Sequence, residues 1–302
     1  MGEFSVLQSK GAERGRRAGE RGMDEALGGI CVYDGAAVAA AELRFREDLW
    51  RSAPLDAVHE AEVRSRRFGP TLATVFGDLP CASVMNLVQG AAEAGAIGPG
   101  HLSTAIEWMR SREVDYLVSV LADRPGAGRA EAWLTTHGYE RDSTVRRFLH
   151  HGMEPSPVDQ GPLEIHELGP LDTEGMDHIF GTTFGLPSLA TLLLMGLPTQ
   201  EGWHCYRASL GGREVACGTM MTLGRIALLG LDATLAEARG HGCQTALITR
   251  RLTEATRLGC DTIVAEVCQE HPASPVAARN LLRVGFEEIP GKVNWRRPRG
   301  LG

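Results

Sequence analysis

A short loop with two glycines separates two segments of different periodicity in the last third of the chain. It reads Arg-Gly-His-Gly-Cys-Gln over residues 239–244. The segment before it, residues 225–235, is short, largely apolar and contains branched residues, which predicts a buried strand. After the loop, apolar residues recur at helical spacing from Ala246 to Leu258. Glycines let the backbone approach a phosphate, and the first amides of a helix attract an anion. The loop therefore predicts a pyrophosphate site with Arg239 as a charged contact, the alternative being an ordinary tight turn.

The elements after this loop continue the alternation of strand and helix. Residues 261–267 (DTIVAEV) are predicted to be a second buried strand. Residues 274–286 begin with Ser-Pro and end in Gly-Phe, which predicts a helix with Asn280 inside it. Strand, Arg-x-x-Gly loop, helix, strand and Asn-bearing helix together resemble the acyl-CoA-binding core of the GNAT N-acyltransferases. The resemblance covers roughly residues 163–296.

This resemblance implies a coenzyme site at defined positions. Backbone groups of a splayed strand would bind the pantetheine arm, loop amides would hold the pyrophosphate, and an Asn would contact the pantetheine. The corresponding residues here are Asp232, Ala233, Thr234, Arg239, Gly240, His241, Gly242, Cys243, Gln244, Thr245 and Asn280. Two positions depart from the family pattern. Gln244 replaces a Gly or Ala, so its side chain must turn outward or touch the ligand, and Leu281 replaces a Tyr that often acts as general acid.

Acyl transfer to an amine also needs an oxyanion donor, a base and an acid. Strand amides near residues 231–233 would stabilise the oxyanion. Glu266 is an acid in an apolar strand, so burial should raise its pKa toward that of a base, although a structural ion pair with an arginine is the alternative. His204 could accept an ammonium proton, and a structural role is again the alternative. His178 is a further candidate for contact with the acceptor, and the acid would be Cys268, His271 or solvent.

Composition indicates a soluble globular protein. The chain has 302 residues, of which 43% are hydrophobic and 23% charged, and no apolar run is long enough to cross a membrane. The net charge of −7 argues against nucleic acid as a partner. Seven cysteines without paired spacing predict neither a disulfide scaffold nor a structural zinc site. We therefore expect a cytoplasmic protein, a monomer or homodimer, without a bound metal.

A weak internal repeat indicates two similar halves. AEAWLTTHGYE over residues 130–140 parallels ARNLLRVGFEE over residues 278–288. The predicted fold is α/β, with two GNAT-like domains in tandem, each a twisted mixed sheet flanked by helices. The predicted boundaries are 1–22 for a disordered leader, 23–152 for a degenerate first domain, 153–162 for a linker and 163–302 for the acyl-CoA-binding domain.

The first half is predicted to fold like the second without binding coenzyme. Its predicted strands are 68–77, 81–90 and 114–122, and its predicted helices are 101–113 and 128–138. The turn before the first of these helices lacks the arginine and contains Pro99, which has no amide hydrogen. Trp133 stands where the second half has Asn280. We expect this half to form one wall of an acceptor cleft between the halves, the alternative being a purely structural role.

The function that follows is acyl-CoA-dependent N-acyltransfer to a primary amine of a small molecule, with acetyl-CoA or a longer acyl-CoA as donor. One alternative is a long-chain N-acyltransferase of glycopeptide-type aminosugars, in which the leucine-rich residues 189–197 line an acyl channel rather than pack in the core. Another is a sensor that binds acyl-CoA without reacting. A modifier of peptides is less compatible with an enclosed cleft between two halves.

Overall fold

The computed structural model of the chain describes residues 33–77, 85–155, 161–170, 172–173 and 175–298. From residue 35 onward the described chain packs as one unit. The predicted leader 1–22, Cys31, Cys81 and residues 156–160 of the predicted linker lie outside the described residues.

Helices and strands alternate along the described chain. The helices are α1 (Gly35–Asp48), α2 (Leu55–Glu60), α3 (His101–Arg110), α4 (Ala127–Thr136), α5 (Met176–Phe184), α6 (Ser188–Leu192), α7 (Cys243–Arg257) and α8 (Ser274–Arg283). The strands are β1 (Val63–Phe68), β2 (Thr71–Phe76), β3 (Leu87–Gln89), β4 (Leu117–Leu121), β5 (Glu140–His150), β6 (Leu163–Glu167), β7 (Trp203–Leu210), β8 (Arg213–Leu223), β9 (Ile226–Thr234), β10 (Thr262–Cys268) and β11 (Glu287–Arg296). Every element predicted around the glycine loop is present within a few residues of its expected bounds.

All these strands belong to one mixed sheet. Its order is β1-β2-β3-β4-β11-β5-β10-β9-β8-β7-β6. Two neighbouring pairs are parallel, β3 with β4 and β9 with β10, and each parallel pair is joined by a crossover helix, α3 or α7. The predicted α/β fold with a mixed sheet flanked by helices is confirmed.

The two halves exchange their last strands at the centre of the sheet. Strand β5 ends the first half in sequence but pairs antiparallel with β10, and β11 ends the second half but pairs antiparallel with β4. β5 and β11 also pair with each other. The predicted segment 153–162 thus separates the halves in sequence but not in the sheet, and the domain boundaries themselves stay a prediction.

The exchanged strands carry core residues into the opposite half. Phe148 of β5 packs with the second-half cluster that contains Ile248, Leu252 and Ile263. Trp295 of β11 packs with the first-half cluster under α3 and α4. Because each core contains a side chain from the other half, neither half buries its apolar face completely without its partner.

No helix in the described part of the chain is long and apolar enough to span a membrane. The predicted cytoplasmic location stays a prediction. The described cysteines are all free thiols, and four of them, Cys205, Cys217, Cys243 and Cys260, are buried. Buried thiols act as small apolar side chains of the core.

Candidate active site

Two parallel strands separate in the middle of the second half. β9 and β10 pair side by side until Leu229 lies opposite Ala265. Beyond this pair β9 continues to Thr234 and β10 to Cys268, but the two strands no longer pair with each other. We call the resulting opening the β9–β10 wedge. Its two sides carry backbone groups that no longer bond across it, which makes it a place where an extended ligand can insert.

A β-bulge in β9 lies at the base of this wedge. Gly230 pairs with Thr219 of β8, and Ala233 pairs with Cys217. β9 therefore has one more residue than β8 between these two pairs. Leu231 has a left-handed backbone with φ of +51°. This conformation is strained for a bulky residue, and such strain concentrates at functional sites. Leu231 and Asp232 have no ladder partner in β8 or β10, so their backbone groups are available in the predicted oxyanion region.

The predicted pyrophosphate loop lies at the open end of the wedge. Gly240 and Gly242 have φ of +83° and +80°, which glycine adopts without strain. Helix α7 begins directly after Gly242. Within the described chain, the amides of Gly240, Gly242, Gln244 and Thr245 have no backbone acceptor. These groups form the anion-attracting first turn that the sequence predicts.

The space around this loop is compatible with a diphosphate. A Cβ added at Gly240 or Gly242 would meet no atom within 4 Å, so open space faces both glycines. Arg239 is exposed beside them. Free amides, the positive end of the α7 dipole and a guanidinium therefore surround the same open volume.

The two departures from the family pattern are resolved in different ways. Asn280 Nδ2 donates a hydrogen bond to Gln244 Oε1 at 2.8 Å. The Gln244 side chain thus turns toward α8, which is neither of the two arrangements expected from the sequence. If Asn280 contacts a pantetheine, its side chain must do so while it also donates this hydrogen bond. Leu281 is buried in the core and offers no proton.

Two of the predicted coenzyme residues have side chains in structural contacts. Asp232 forms an ion pair with Arg251, which is fully buried and also donates to the carbonyl oxygen of Thr219 at 2.8 Å. The thiol of Cys243 is buried and lies 3.7 Å from the carbonyl oxygen of Ala238. Asp232 and Cys243 can therefore reach a ligand only through their backbone.

Glu266 lies in β10 one residue beyond the last pair with β9. Its side chain is 36% exposed, and its carboxylate forms an ion pair with Lys292 and lies 4.0 Å from Arg147 Nε. Burial acts to raise the pKa of Glu266, but the charges of Lys292 and Arg147 outweigh it, so the pKa lies below the usual glutamate value. The expectation of a raised pKa is wrong because β11 and β5 supply two cations.

Glu266 belongs to a larger group that we call the central charge cluster: Glu42, Asp123, Arg147, Glu266 and Lys292. Glu42 lies 2.9 Å from both Arg147 and Lys292, and Arg147 donates to Asp123 at 3.0 Å. Glu42, Arg147 and Lys292 are buried. Burial raises the pKa of Glu42, so the two glutamates of the cluster are shifted in opposite directions.

Of the five residues of this cluster, the sequence points only to Glu266 as a functional candidate. Glu42, Arg147 and Lys292 come from α1, β5 and β11, which lie far apart in the chain. The signal that pointed to Glu266, a charge within an apolar segment, also marks Arg147 beside Phe148 and Leu149. That signal shows burial but not which charges meet.

Comparison with solved structures identifies the fold. No protein-family model matches the sequence, and no curated protein does. A GCN5-related N-acetyltransferase from Kribbella flavida superposes with a TM-score of 0.60 at 17% identity, over 88% of this chain and 96% of that one. A tandem GNAT protein from the clavulanic acid biosynthesis pathway superposes with a TM-score of 0.53 at 17% identity, over 74% of this chain and 77% of that one.

The chain has a tandem GNAT fold. A GCN5-related N-acetyltransferase from Sphaerobacter thermophilus is similar at a TM-score of 0.54 and 18% identity, covering 76% of this chain and 81% of that one. The β9–β10 wedge is the open parallel pair of the second GNAT half.

The first GNAT half has a corresponding parallel pair, β3 and β4, whose following loops are in contact. Arg124 donates two hydrogen bonds to Glu93, at 2.8 and 3.0 Å, and so joins the loop after β4 to the loop after β3. A Cβ at Gly126 would overlap the carbonyl oxygen of Ala92. Trp133 stacks on His137 with ring centroids 3.7 Å apart. The loops that follow β3 and β4 are therefore held together by an ion pair and by a close backbone approach.

His204 lies away from the wedge. It is on β7, and its Nδ1 lies 2.8 Å from Glu167 Oε1. Its group also includes Glu254 of α7, whereas Glu266 contacts Glu42 of α1, on the opposite face of the sheet. The alternation along β9 shows the two faces, since Leu229 packs with the α7 core and the next residue, Gly230, approaches Phe45 of α1. The structure does not bring His204 and Glu266 together.

The three remaining candidates occupy different places. Cys268 ends β10 at the mouth of the wedge, and burial raises the pKa of its thiol, which lies 3.5 Å from Glu270 Oε2. His271 accepts the amide hydrogen of Ala273 through Nδ1 at 3.1 Å. His178 is exposed on α5. Cys268 is thus the candidate acid that borders the wedge.

A cavity of ≈ 520 Å³ lies at the opposite end of β9 from the glycine loop. Arg44 and Asp48 of α1 line it together with His204, Thr222 and other residues of the second half. It borders both halves, as the predicted acceptor cleft should. Because it lies near the β8–β9 turn rather than near Gly242, it is separate from the predicted diphosphate position.

Proposed function

We propose that this protein is an N-acyltransferase that moves an acetyl or longer acyl group from coenzyme A to a primary amine of a small molecule. The β9–β10 wedge carries this proposal, because unpaired strand backbone, a strained bulge and free helix-start amides follow one another between the middle of β9 and the start of α7. The tandem GNAT fold supports it, since this fold occurs in proteins described as N-acetyltransferases.

The coenzyme would lie along the wedge with its diphosphate at residues 240–245. Amides of Gly240, Gly242, Gln244 and Thr245 would donate to the phosphate oxygens, and Arg239 would add a charged contact. The pantetheine arm would pair with backbone groups of residues 232–234, next to the hydrogen bond between Asn280 and Gln244. The thioester would then reach the bulge at Leu231.

The reaction would proceed by direct attack. The amine nitrogen adds to the thioester carbonyl carbon, the carbonyl oxygen becomes an oxyanion near the amides of the bulge, and the carbon–sulfur bond then breaks. The amine loses a proton and the departing thiolate gains one, so no net charge is created. Cys268 at the wedge mouth, with its raised thiol pKa, is protonated at neutral pH and can donate that proton.

Glu266 would orient the amine rather than act as a strong base. Its lowered pKa keeps the carboxylate ionised at neutral pH, where it can accept a hydrogen bond from the ammonium or amine. Its partially exposed side chain stands beside the wedge and emerges on the face covered by α1. The acceptor would therefore bind between the second-half wedge and the first-half helix α1.

Binding and turnover can be tested separately. Acetyl-CoA should raise the melting temperature, because a ligand of the native state stabilises it by about 2.7 kcal/mol at a hundredfold excess over Kd. Incubation with acetyl-CoA and a panel of small primary amines should release free thiol. Absence of any thermal shift at saturating coenzyme would contradict the coenzyme site, and a shift without thiol release from any amine would contradict catalysis.

A second candidate is a sensor that binds acyl-CoA without transferring the acyl group. The observation that favours it is the buried Leu281, which fills the position of the general acid in the family pattern. A long-chain acyltransferase is less supported, because Leu193, Leu194 and Leu197 are buried in the core instead of lining a channel. The same thiol-release assay separates the enzyme from the sensor.

A further inference from the structure

Three side chains of the type that bind metals converge on the sheet face under α7. They are Glu167 at the end of β6, His204 on β7 and Glu254 on α7. One ligand atom from each lies within 4.8 Å of the others, and His204 Nδ1 is already 2.8 Å from Glu167 Oε1. Ligand atoms around a zinc ion lie about 3.3 Å apart in tetrahedral geometry, so only a small contraction would bring these three to bonding distance.

Two arginines are now paired with this group, and Arg257 donates three hydrogen bonds to the carboxylate of Glu254. Arg257 contacts Glu254 and Arg250 lies 4.0 Å from Glu167, but their side chains are 66% and 40% exposed. The side chain of Glu254, in contrast, is 8% exposed and that of His204 is 20% exposed. Exposed ion pairs contribute about 0–1 kcal/mol unless they are bidentate, so a divalent ion replaces Arg250 at little cost and has to displace the hydrogen bonds of Arg257.

A buried hydroxyl under the same group has no partner. Tyr206 is 0% exposed, and among the described residues its hydroxyl forms no hydrogen bond. Tyr206 pairs with Glu167 across β6 and β7 and shares a sheet face with His204, two residues away. The charges of Glu167 and Glu254 act on this hydroxyl, as do those of Arg250 and Arg251. A buried unsatisfied hydroxyl costs about 1–3 kcal/mol, which indicates a missing partner at this place.

We propose that Glu167, His204 and Glu254 bind a divalent transition-metal ion such as zinc, and that the Tyr206 hydroxyl donates to a carboxylate ligand or to a water on the ion. One imidazole nitrogen with two carboxylates is a donor set suited to zinc rather than to calcium or magnesium. The ion can arrive through the cavity that His204 lines. It would fasten β6 and β7 to α7, the helix whose first turn forms the predicted diphosphate site.

Cobalt(II) provides the test, because its visible absorption distinguishes nitrogen and oxygen ligands from the thiolates of this cysteine-containing chain. The full chain, stripped with a chelator and kept reduced, should bind one equivalent without a thiolate charge-transfer band. His204→Ala and Glu254→Gln should each weaken cobalt affinity by more than about tenfold, since even partners of ligands contribute that much. Zinc should raise the melting temperature of the parent chain but not of these two variants.

His166→Ala is the matched control. His166 is also on β6, lies 3.8 Å from Glu164 and faces away from the proposed site, so this variant should bind cobalt like the parent chain. Tyr206→Phe should weaken cobalt affinity about tenfold without lowering the melting temperature of the metal-free chain, a combination that a purely structural tyrosine would not give. Glu254→Gln hardly changes the shape of the side chain, so this variant still tests the proposed ligands if His204→Ala does not fold.

The proposal fails if the parent chain binds no cobalt or zinc. It fails equally if His204→Ala and Glu254→Gln bind as tightly as the parent chain, because the ion then lies on other groups. None of these outcomes depends on acyl transfer.

Discussion

The two GNAT halves each contain a parallel strand pair joined by a crossover helix, but only one pair stands open. In the second half, β9 and β10 separate after Leu229 and Ala265, and the loop before α7 has free amides and glycines that face open space. In the first half, Arg124 and Glu93 join the loops that follow β3 and β4. The difference indicates that the same backbone arrangement can be open or closed, and that a few contacts decide whether the proposed coenzyme site exists in a given half.

Both helices after these loops begin in the same way, which sharpens the comparison. Gly100 precedes α3 with φ of 79° and ψ of 14°, and Gly242 precedes α7 with φ of 80° and ψ of 2°. A left-handed glycine at a helix start is therefore common to both halves and does not identify the coenzyme site. What differs is the Arg124–Glu93 contact between the loops of the first half, and the arginine beside the glycines of the second half.

The largest expected effect tests whether the halves are one cooperative unit. Arg147→Met should lower the free energy of unfolding by about 3–5 kcal/mol, because it removes the cation shared by the buried carboxylate of Glu42 and the half-buried carboxylate of Asp123. Urea unfolding followed by circular dichroism measures this change. Arg146→Met is the control on the same strand; its pair with Glu288 is partly exposed and contributes about 0–1 kcal/mol. Equal losses in both variants would show that the central charge cluster does not hold the halves together.

The next effect tests the open wedge directly. Gly242→Trp should remove the thermal shift caused by acetyl-CoA, corresponding to a loss of at least about a hundredfold in affinity, since the indole would fill the space in front of the amides. Gly100→Trp is the matched variant in the first half. It introduces the same backbone strain, of about 1–2 kcal/mol, but should keep the coenzyme shift. A lost shift in Gly100→Trp would mean that the first half also contributes to coenzyme binding.

A smaller effect is expected at Glu266. Glu266→Gln should keep the coenzyme shift and slow turnover about tenfold, because a charged hydrogen bond to the amine is lost. The pKa of Glu266 is depressed in the folded state. Its carboxylate is therefore ionised at any pH above the usual glutamate pKa, and it is protonated only when the pH falls through the lower pKa of the folded state. Turnover of the parent chain and the variant should then depend on pH in the same way above about pH 5. An acid limb near neutral pH that disappears in Glu266→Gln would restore the role of a general base.

The smallest effect concerns the closed pair of the first half. Arg124→Met removes the contact with Glu93 and should cost about 1 kcal/mol, as expected for a partly buried ion pair. Calorimetry with acetyl-CoA should still find one binding event, because the first half also lacks the arginine and carries Pro99 in its turn. A second binding event would show that the Arg124–Glu93 contact alone keeps this half closed.

Much of the site could be predicted because its signals are local in sequence. The glycines, the apolar run before them and the helical spacing after them lie within about thirty residues, and each depends on backbone geometry that neighbouring residues set. The interaction of Gln244 with Asn280 could not be predicted, because it joins the first turn of α7 to the second half of α8, and packing sets the distance between these helices. The separation of His204 from Glu266 has the same origin, since strand order decides which face and which edge each residue occupies.

The sequence by itself determined the order of helices and strands, the position of the glycine loop and the similarity of the two halves, because periodicity and glycine conformation act over short stretches of chain. The tertiary structure alone decided the exchange of β5 and β11, the assembly of the central charge cluster and the closure of the first strand pair. These features depend on contacts between distant segments. The charges around Glu266 show the consequence, since Lys292 and Arg147 reach it only through strand pairing and reverse the pKa shift that its own segment predicts.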